Sequence, residues 1–398
     1  MIATGLDRLL EAPSRLAGRR YGVLSHSASV TSDLQPIHLA LQRSQCPAPS
    51  LLFGPEHGFY GIEQDMVPSR TEPDPWTGLP VISLYGDCED SLRPDPALFA
   101  DIDLLVIDFQ DVGARYYTYG ATAVWASEAA LKAGCEVLIL DRPNPLGGVE
   151  VEGNMRRPGF ESFVGAFEIP VRHGLTLGEI VRLEAKRRKW DDGVSVLEME
   201  GWKRDMTWQN VGRAWIPPSP NIPNLQGAWI FPGGCLVEAT ELSEGRGTTR
   251  PFQLIGGAGI DPVGLADHLS RLELRGVTFT PTYFRPQFQK QAHQECGGVQ
   301  ITVTASSLFR PFRFGVELLW ALRTVAPEQF EWRRAAYEFV SDRPTIDLLS
   351  GDSALREAFD AGCRPDDWIA SWADDEKAFR EERREILLYP EPQAGDLL

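Results

Sequence analysis

Apolar runs of strand length recur through the first part of the chain, at residues 21–24, 51–53, 81–84, 104–109 and 137–140. They are nearly continuous in Val, Leu and Ile rather than alternating with polar residues. That is the pattern of strands buried on both faces of a parallel sheet. Helix-like stretches lie between them. Residues 121–133 are rich in alanine and run into Gly134, where a glycine commonly ends a helix. Thr176 and Glu179 form a Thr-x-x-Glu pair ahead of Ile180, Val181 and Leu183, the signature of a capping box. This alternation predicts an α/β fold built on an open parallel sheet.

The pattern changes further on. Residues 215–224 carry Pro217, Pro218, Pro220 and Pro223, which exclude regular helix and central strand, because proline lacks the donor and fixes φ. A rigid, extended loop is expected there. Residues 245–251, with Gly245, Gly247 and Pro251, form a second irregular stretch. Beyond it residues 299–303 read as a strand, and 316–325 and 374–387 as helices. A boundary near residue 248 is expected, giving domains 1–248 and 249–398, since 398 residues exceed one ordinary domain.

Composition narrows the function. Lys plus Arg total 39 and Asp plus Glu 56, a net charge of −17. That acidity argues against broad nucleic-acid binding and against docking on an anionic membrane. The lack of a long uninterrupted apolar run predicts no membrane-spanning helix. The N-terminus shows no basic segment followed by an apolar stretch, so a cytoplasmic location is expected. The six cysteines are far apart and form no CxxC pair, which reads as free thiols in a reducing compartment. Neither GxGxxG nor GxxxxGK[ST] follows the first strand, and HExxH and GxSxG are missing. Dinucleotide binding, a P-loop, a zinc protease and a serine-hydrolase elbow therefore lack support, and no cofactor or metal is expected.

In open parallel sheets, ligands bind beyond the carboxyl ends of the strands. Here strand 51–53 runs into Gly54, Pro55, Glu56, His57 and Gly58; strand 104–109 runs into Gln110, Asp111, Arg115, Tyr116, Tyr117 and Tyr119; strand 137–140 runs into Asp141, Arg142 and Asn144. Three strand ends thus deliver acids, bases and aromatics to one rim, the material of a pocket that can move protons. Each piece also has a structural reading. Glu56 and His57 suit a turn, Asp111 and Arg115 an ion pair, the tyrosines a core, Asp141 to Pro145 a rigid loop, and His173 a buried imidazole.

Taken together, the motifs resemble a known family. GPEHG (54–58), TGLPVISLYG (77–86), DIDLLVIDFQDVGARYYTY (101–119), LDRPNPLGG (140–148), SFVG (162–165), RHGLTLGE (172–179), PPSPNIPNL (217–225) and ELSEGRGTTRPF (241–252) are similar to the NamZ-type exo-β-N-acetylmuramidases of peptidoglycan. The resemblance runs from about residue 5 to the C-terminus. It implies a Rossmann-like N-terminal domain followed by a smaller α+β C-terminal domain, with the site in the cleft between them. It also implies release of N-acetylmuramic acid from the non-reducing end of cell-wall fragments, so the expected partner is a peptidoglycan-derived saccharide. Thr240, Glu241 and Leu242 replace a usual Asn-containing run, and Gly257 to Gly259 and Glu152 to Met155 also depart from the family pattern. These departures bear on substrate preference rather than reaction class.

Glycosidic cleavage needs a proton for the leaving oxygen and stabilisation of an oxocarbenium-like centre. On this reading Glu56 is expected to be the general acid, His57 to orient it or bind the sugar, and Asp111 to be the second carboxylate or, if the 2-acetamido group attacks, to orient that amide. Arg115, Tyr116, Tyr119, Asp141, Asn144, His173, Glu241, Glu244 and Arg246 are the expected substrate-binding residues. Arg246 or Arg115 would grip the lactyl carboxylate of the sugar. Two other readings stay open from sequence: a non-catalytic muropeptide-binding protein and a metal-dependent hydrolase.

Overall fold

The computed structural model describes residues 2–69, 71–190 and 192–391. Six parallel strands form the first sheet: β1 (Tyr21–Ser25), β2 (Leu51–Gly54), β3 (Val81–Ser83), β4 (Leu104–Asp108), β5 (Glu136–Leu140) and β6 (Val194–Leu197). Their order is β3-β2-β1-β4-β5-β6, the doubly wound Rossmann order. The sequence reading located the first five strands and missed β6, whose outer position leaves it only partly buried.

Successive residues along these strands point to opposite faces. Val23, Leu52, Val106, Leu138 and Leu140 pack with Leu6, Leu9, Ile37 and Leu41 of two short helices on one face. Leu24, Phe53, Leu105, Ile107, Val137 and Ile139 join the larger core on the other face. There the sheet is covered by helices Tyr119–Lys132 and Leu177–Arg188. The second helix starts with the expected capping box, in which Thr176 Oγ1 accepts from Glu179 N and Glu179 Oε2 accepts from Thr176 N.

The second part of the chain is built on a three-stranded antiparallel sheet, β7 (Leu254–Ala258), β8 (Val277–Phe284) and β9 (Cys296–Val303), in the order β7-β9-β8. Only β9 was expected. β8 alternates Val, Phe and Tyr with threonine and carries Pro281, and its mostly exposed face gave no apolar run. Helices Pro311–Val325 and Asp366–Arg383 begin earlier than the apolar periodicity suggested. Helix Leu225–Gly234 crosses Pro311–Val325 with Gly233 laid against Gly315, so close that a Cβ on either would collide with the other backbone. One continuous core runs from Leu24 and Ile107 to Leu319, Phe359 and Ile386, joining both parts of the chain. Among the described residues no helix is long and apolar enough to cross a membrane.

Candidate active site

The end of β2 folds back sharply. Gly54 lies so close to the Phe59 backbone that a Cβ would sit 2.7 Å from its nitrogen. The turn holds His57 at φ 67°, in the left-handed region that most side chains avoid. Its Nδ1 lies 2.9 Å from the Glu63 carbonyl and so carries a proton. The Glu56 carboxylate accepts from Thr118 Oγ1 at 2.7 Å, and Met66 N–H lies 3.5 Å from its other oxygen. Thr118 immediately precedes helix Tyr119–Lys132, so β2 and the β4 crossover meet at this carboxylate.

The proline-rich segment is the extended loop expected. Its carbonyls are held from below. Pro218 O accepts from Tyr119 OH at 2.7 Å, and His26 Nδ1 lies 3.1 Å from it. His26 Nε2 accepts from Gln110 N at 2.9 Å, so the ring is the Nδ1–H tautomer. Burial drives its pKa down to about 3, and the imidazole stays neutral. The loop presents Ser219, Asn221 and Ile222 to a cavity.

That cavity is lined by Glu56, His57, Asp65, Tyr116, Tyr117 and Thr118 from the first part of the chain, and by Glu238, Arg246, Tyr337 and Glu338 from the second. Its free volume is about 40 Å³. Ligand sites generally have about 300 Å³ or more, so the cavity is small for a sugar as it stands. Asp65 narrows it, accepting from Gln289 Nε2 at 2.9 Å and lying 3.6 Å from Arg246 Nε.

Charge is concentrated here. Arg246 pairs with Glu238 at 2.9 Å and lies 3.8 Å from Glu244, which pairs with Lys290 at 2.7 Å. Burial opposes the charge on Arg246, but the carboxylates of Asp65, Glu238 and Glu244 outweigh it and hold the guanidinium well above its ordinary pKa. Glu244 is buried as well, yet Lys290 and Arg246 hold it below the usual range. Glu238 accepts from Tyr337 OH at 2.7 Å; burial raises it despite Arg246. Glu338 accepts from Tyr85 OH at 3.1 Å. Burial, and after it the charge of Glu56, push Glu338 well above the carboxylate range.

The structure thus gathers Glu56, His57, Tyr116 and Arg246 around one cavity, with Glu244 behind Arg246. The other expected residues lie elsewhere. Asp111 is buried off the cavity, with Oδ1 turned to Gly113 N and 4.0 Å from His173 Nε2; burial raises it to about 7. Asp111 therefore does not line the cavity with Glu56, because the turn after β4 folds its carboxylate onto the Gly113 backbone. Arg115 donates to the carbonyls of Asn154, Ile169, Leu349 and Ser350, clasping the two parts of the chain. Tyr119 holds the proline loop. Asp141 caps helix Leu177–Arg188 through Thr176 Oγ1 and Gly178 N, at 2.7 and 2.9 Å. Asn144 bonds Leu146 N and Leu175 O, and His173 accepts from Leu175 N. Glu241 accepts from Arg334 N at 3.2 Å. Asp65, Ser219, Asn221, Glu238, Tyr337 and Glu338 were not foreseen, since their loops carry no strand-end signal. Among the described residues no three His, Cys, Asp or Glu are grouped to hold a metal ion.

A carboxylate-lined pocket at the strand ends of a doubly wound sheet, completed by a second α+β unit, defines a glycosidase-type site. The comparisons agree. Residues 21–226 match the family profile "Exo-beta-N-acetylmuramidase NamZ, N-terminal", and residues 229–389 match its C-terminal counterpart. The chain belongs to this NamZ family and is a glycosidase. It is 36% identical over 389 residues to the Peptidoglycan beta-N-acetylmuramidase NamZ of Bacillus subtilis (strain 168), covering 98% of this chain and 91% of that protein. Two crystal structures of DUF1343 family proteins from Bacteroides fragilis share the fold. One has a TM-score of 0.85 at 32% identity, covering 98% of this chain and 99% of the other. The second has a TM-score of 0.74 at 27% identity, covering 98% and 100%.

Proposed function

We propose that this glycosidase removes single N-acetylmuramic acid residues from the non-reducing ends of peptidoglycan fragments. Family membership makes the chain a muramidase-type peptidoglycan hydrolase. Two features support the finer reading. The carboxylates of Glu56, Glu238 and Glu338 gather around one small cavity, a space of the size that suits a single terminal sugar once it widens. The cavity also holds a buried cation matched to the lactyl carboxylate that distinguishes muramic acid from glucosamine.

The observation that carries the reading is the state of Arg246. In this cavity the Asp65 carboxylate lies against its Nε, which makes no hydrogen bond. Asp65 belongs to the β2 side and narrows the site through Gln289. When the seam opens, Asp65 withdraws, and a substrate carboxylate takes its place on a guanidinium already positioned by Glu238. The glycosidic carbon then lies among Glu56, His57 and Glu338. Departure of the aglycone needs a proton on its oxygen and a carboxylate near the developing positive charge, and the cavity supplies carboxyl groups for both.

The test is product analysis with defined oligosaccharides of alternating N-acetylmuramic acid and N-acetylglucosamine. The reading requires free N-acetylmuramic acid as the first product, with the remaining chain shortened by one unit from its non-reducing end. Internal cleavage, or release of glucosamine first, contradicts it. Replacing Arg246 with methionine should cost muramic substrates at least tenfold more in kcat/KM than matched glucosaminides; equal losses would remove Arg246 as reader of the lactyl group.

A further inference from the structure

Three buried glutamates and the half-buried Asp65 line the reacting space, and their partners differ. Glu238 is held by Arg246 and Tyr337. Asp65 is held by Gln289 and Arg246. Glu56 accepts from Thr118 and faces Met66 N–H. Glu338 has a single neutral partner, Tyr85 OH at 3.1 Å, and no cation beside it among the described residues.

The backbone under Glu338 is equally distinctive. Tyr337 and Val340 exchange both backbone hydrogen bonds, at 3.0 and 2.9 Å. The two residues between them, Glu338 and Phe339, have φ of 47° and 65°. This is the two-residue turn that demands positive φ at both central positions and is normally met by Asn-Gly or Gly-Gly. Here a glutamate and a phenylalanine occupy it. Left-handed backbone at such residues costs roughly 1–2 kcal/mol each. Strain of this kind collects where a side chain is held for function.

We propose that Glu338 is the proton donor to the glycosidic oxygen, with Glu56 as the second carboxylate of the pair. The assignment rests on the glycosidase reading above and moves the acid from Glu56, the sequence expectation, to the other side of the cavity. Burial and the neighbouring charge of Glu56 favour the protonated form of the Glu338 carboxyl, while the Tyr85 hydroxyl fixes the oxygen it approaches. In the reaction Glu338 gives its proton to the glycosidic oxygen. The C1–O bond breaks, its electron pair stays on that oxygen, and the aglycone leaves as an alcohol. The oxygen of one water then bonds C1, and the proton released by that water returns to the carboxyl pair. One water is consumed, and no other reactant is needed. The Glu56 carboxylate stabilises the positive charge that develops at C1.

Leaving-group dependence tests the assignment, because an aglycone of low pKa departs without acid help. Wild type, Glu338→Gln and Glu56→Gln are compared on a muramyl-glucosamine disaccharide and on 2,4-dinitrophenyl N-acetylmuramide. Glu338→Gln should lose at least a thousandfold in kcat on the disaccharide and less than about tenfold on the activated glycoside. The alkaline limb of its pH profile should also vanish on the activated glycoside. Glu56→Gln should lose heavily on both. Equal losses on both substrates in Glu338→Gln overturn the assignment while leaving the glycosidase reading intact. If wild type cleaves neither muramide, the glycosidase reading itself fails.

Discussion

The strained turn at Glu338 makes a quantitative prediction that closes the usual gap between alanine and glycine substitutions. Glu338 is only 4% exposed, so truncating it removes buried methylenes worth about 0.8 kcal/mol each, or roughly 1.6 kcal/mol for two. Alanine keeps Cβ and loses one of them, whereas glycine loses both, roughly 0.8 kcal/mol more. Alanine keeps the penalty of positive φ, whereas glycine is free of it and recovers roughly 1–2 kcal/mol. Some of this is offset by the larger unfolded-state entropy of glycine, about 0.5–1 kcal/mol. The terms nearly cancel, so Glu338→Gly should match Glu338→Ala to within about 0.5 kcal/mol. Elsewhere in a buried segment the glycine variant would be the weaker of the two. For a chain of 398 residues the unfolding entropy makes 1 kcal/mol about 1 °C in Tm. Denaturant melts at constant m value, supported by replicate thermal scans, resolve this difference. Both variants should have lost activity on the disaccharide. A glycine variant weaker than the alanine variant by the roughly 1.3–1.8 kcal/mol of an unstrained buried position would refute the claim that the fold tolerates strain there to present the carboxyl group.

Other consequences are as direct. Arg142 and Asp108 are both buried and paired in two bonds, at 2.5 and 2.8 Å. Arg142→Ala should cost about 3–5 kcal/mol, most of which the double change Asp108→Leu with Arg142→Met recovers; a mild single effect would contradict the pairing. Asp111 has a folded pKa raised to about 7, so its contribution is fully present below its ordinary value near 4 and lost as pH rises through 7. Asp111→Asn, which still accepts from Gly113 N, should gain stability relative to wild type between pH 5 and 8, and a constant difference would refute that shift. Removing the seam bond with Gln289→Ala should favour the open site; about 1 kcal/mol corresponds to a roughly fivefold lower KM. An unchanged or higher KM would mean that Asp65 and Gln289 do not close the cavity.

The fold was readable because parallel strands buried on both faces announce themselves as apolar runs. Residues 104–109 could hardly be anything else. β8 was hidden by the same logic, since its exposed face and Pro281 erase the run. The site was half readable. Glu56 and His57 follow a strand end, where chemistry is expected, and Arg246 stands in a conspicuous Gly-Arg-Gly. Asp111 follows a strand just as closely, but which way its side chain turns depends on Gly113 and not on the pattern. Glu338 was invisible for a different reason. It sits in a turn whose sequence, Tyr-Glu-Phe-Val, lacks glycine and asparagine, so turn chemistry pointed away from the fold the chain adopts. The mismatch between sequence and backbone was the clue, and it appears only once the backbone is known.

The most direct measurement is a crystal structure of the Glu338→Gln protein soaked with an intact muramyl-glucosamine disaccharide. The account predicts an opened seam at Asp65, the lactyl carboxylate on Arg246, and residue 338 within hydrogen-bond reach of the glycosidic oxygen, with Glu56 near C1. A disaccharide bound outside this cavity, or one with its linkage turned towards Asp111 and away from residue 338, would contradict it.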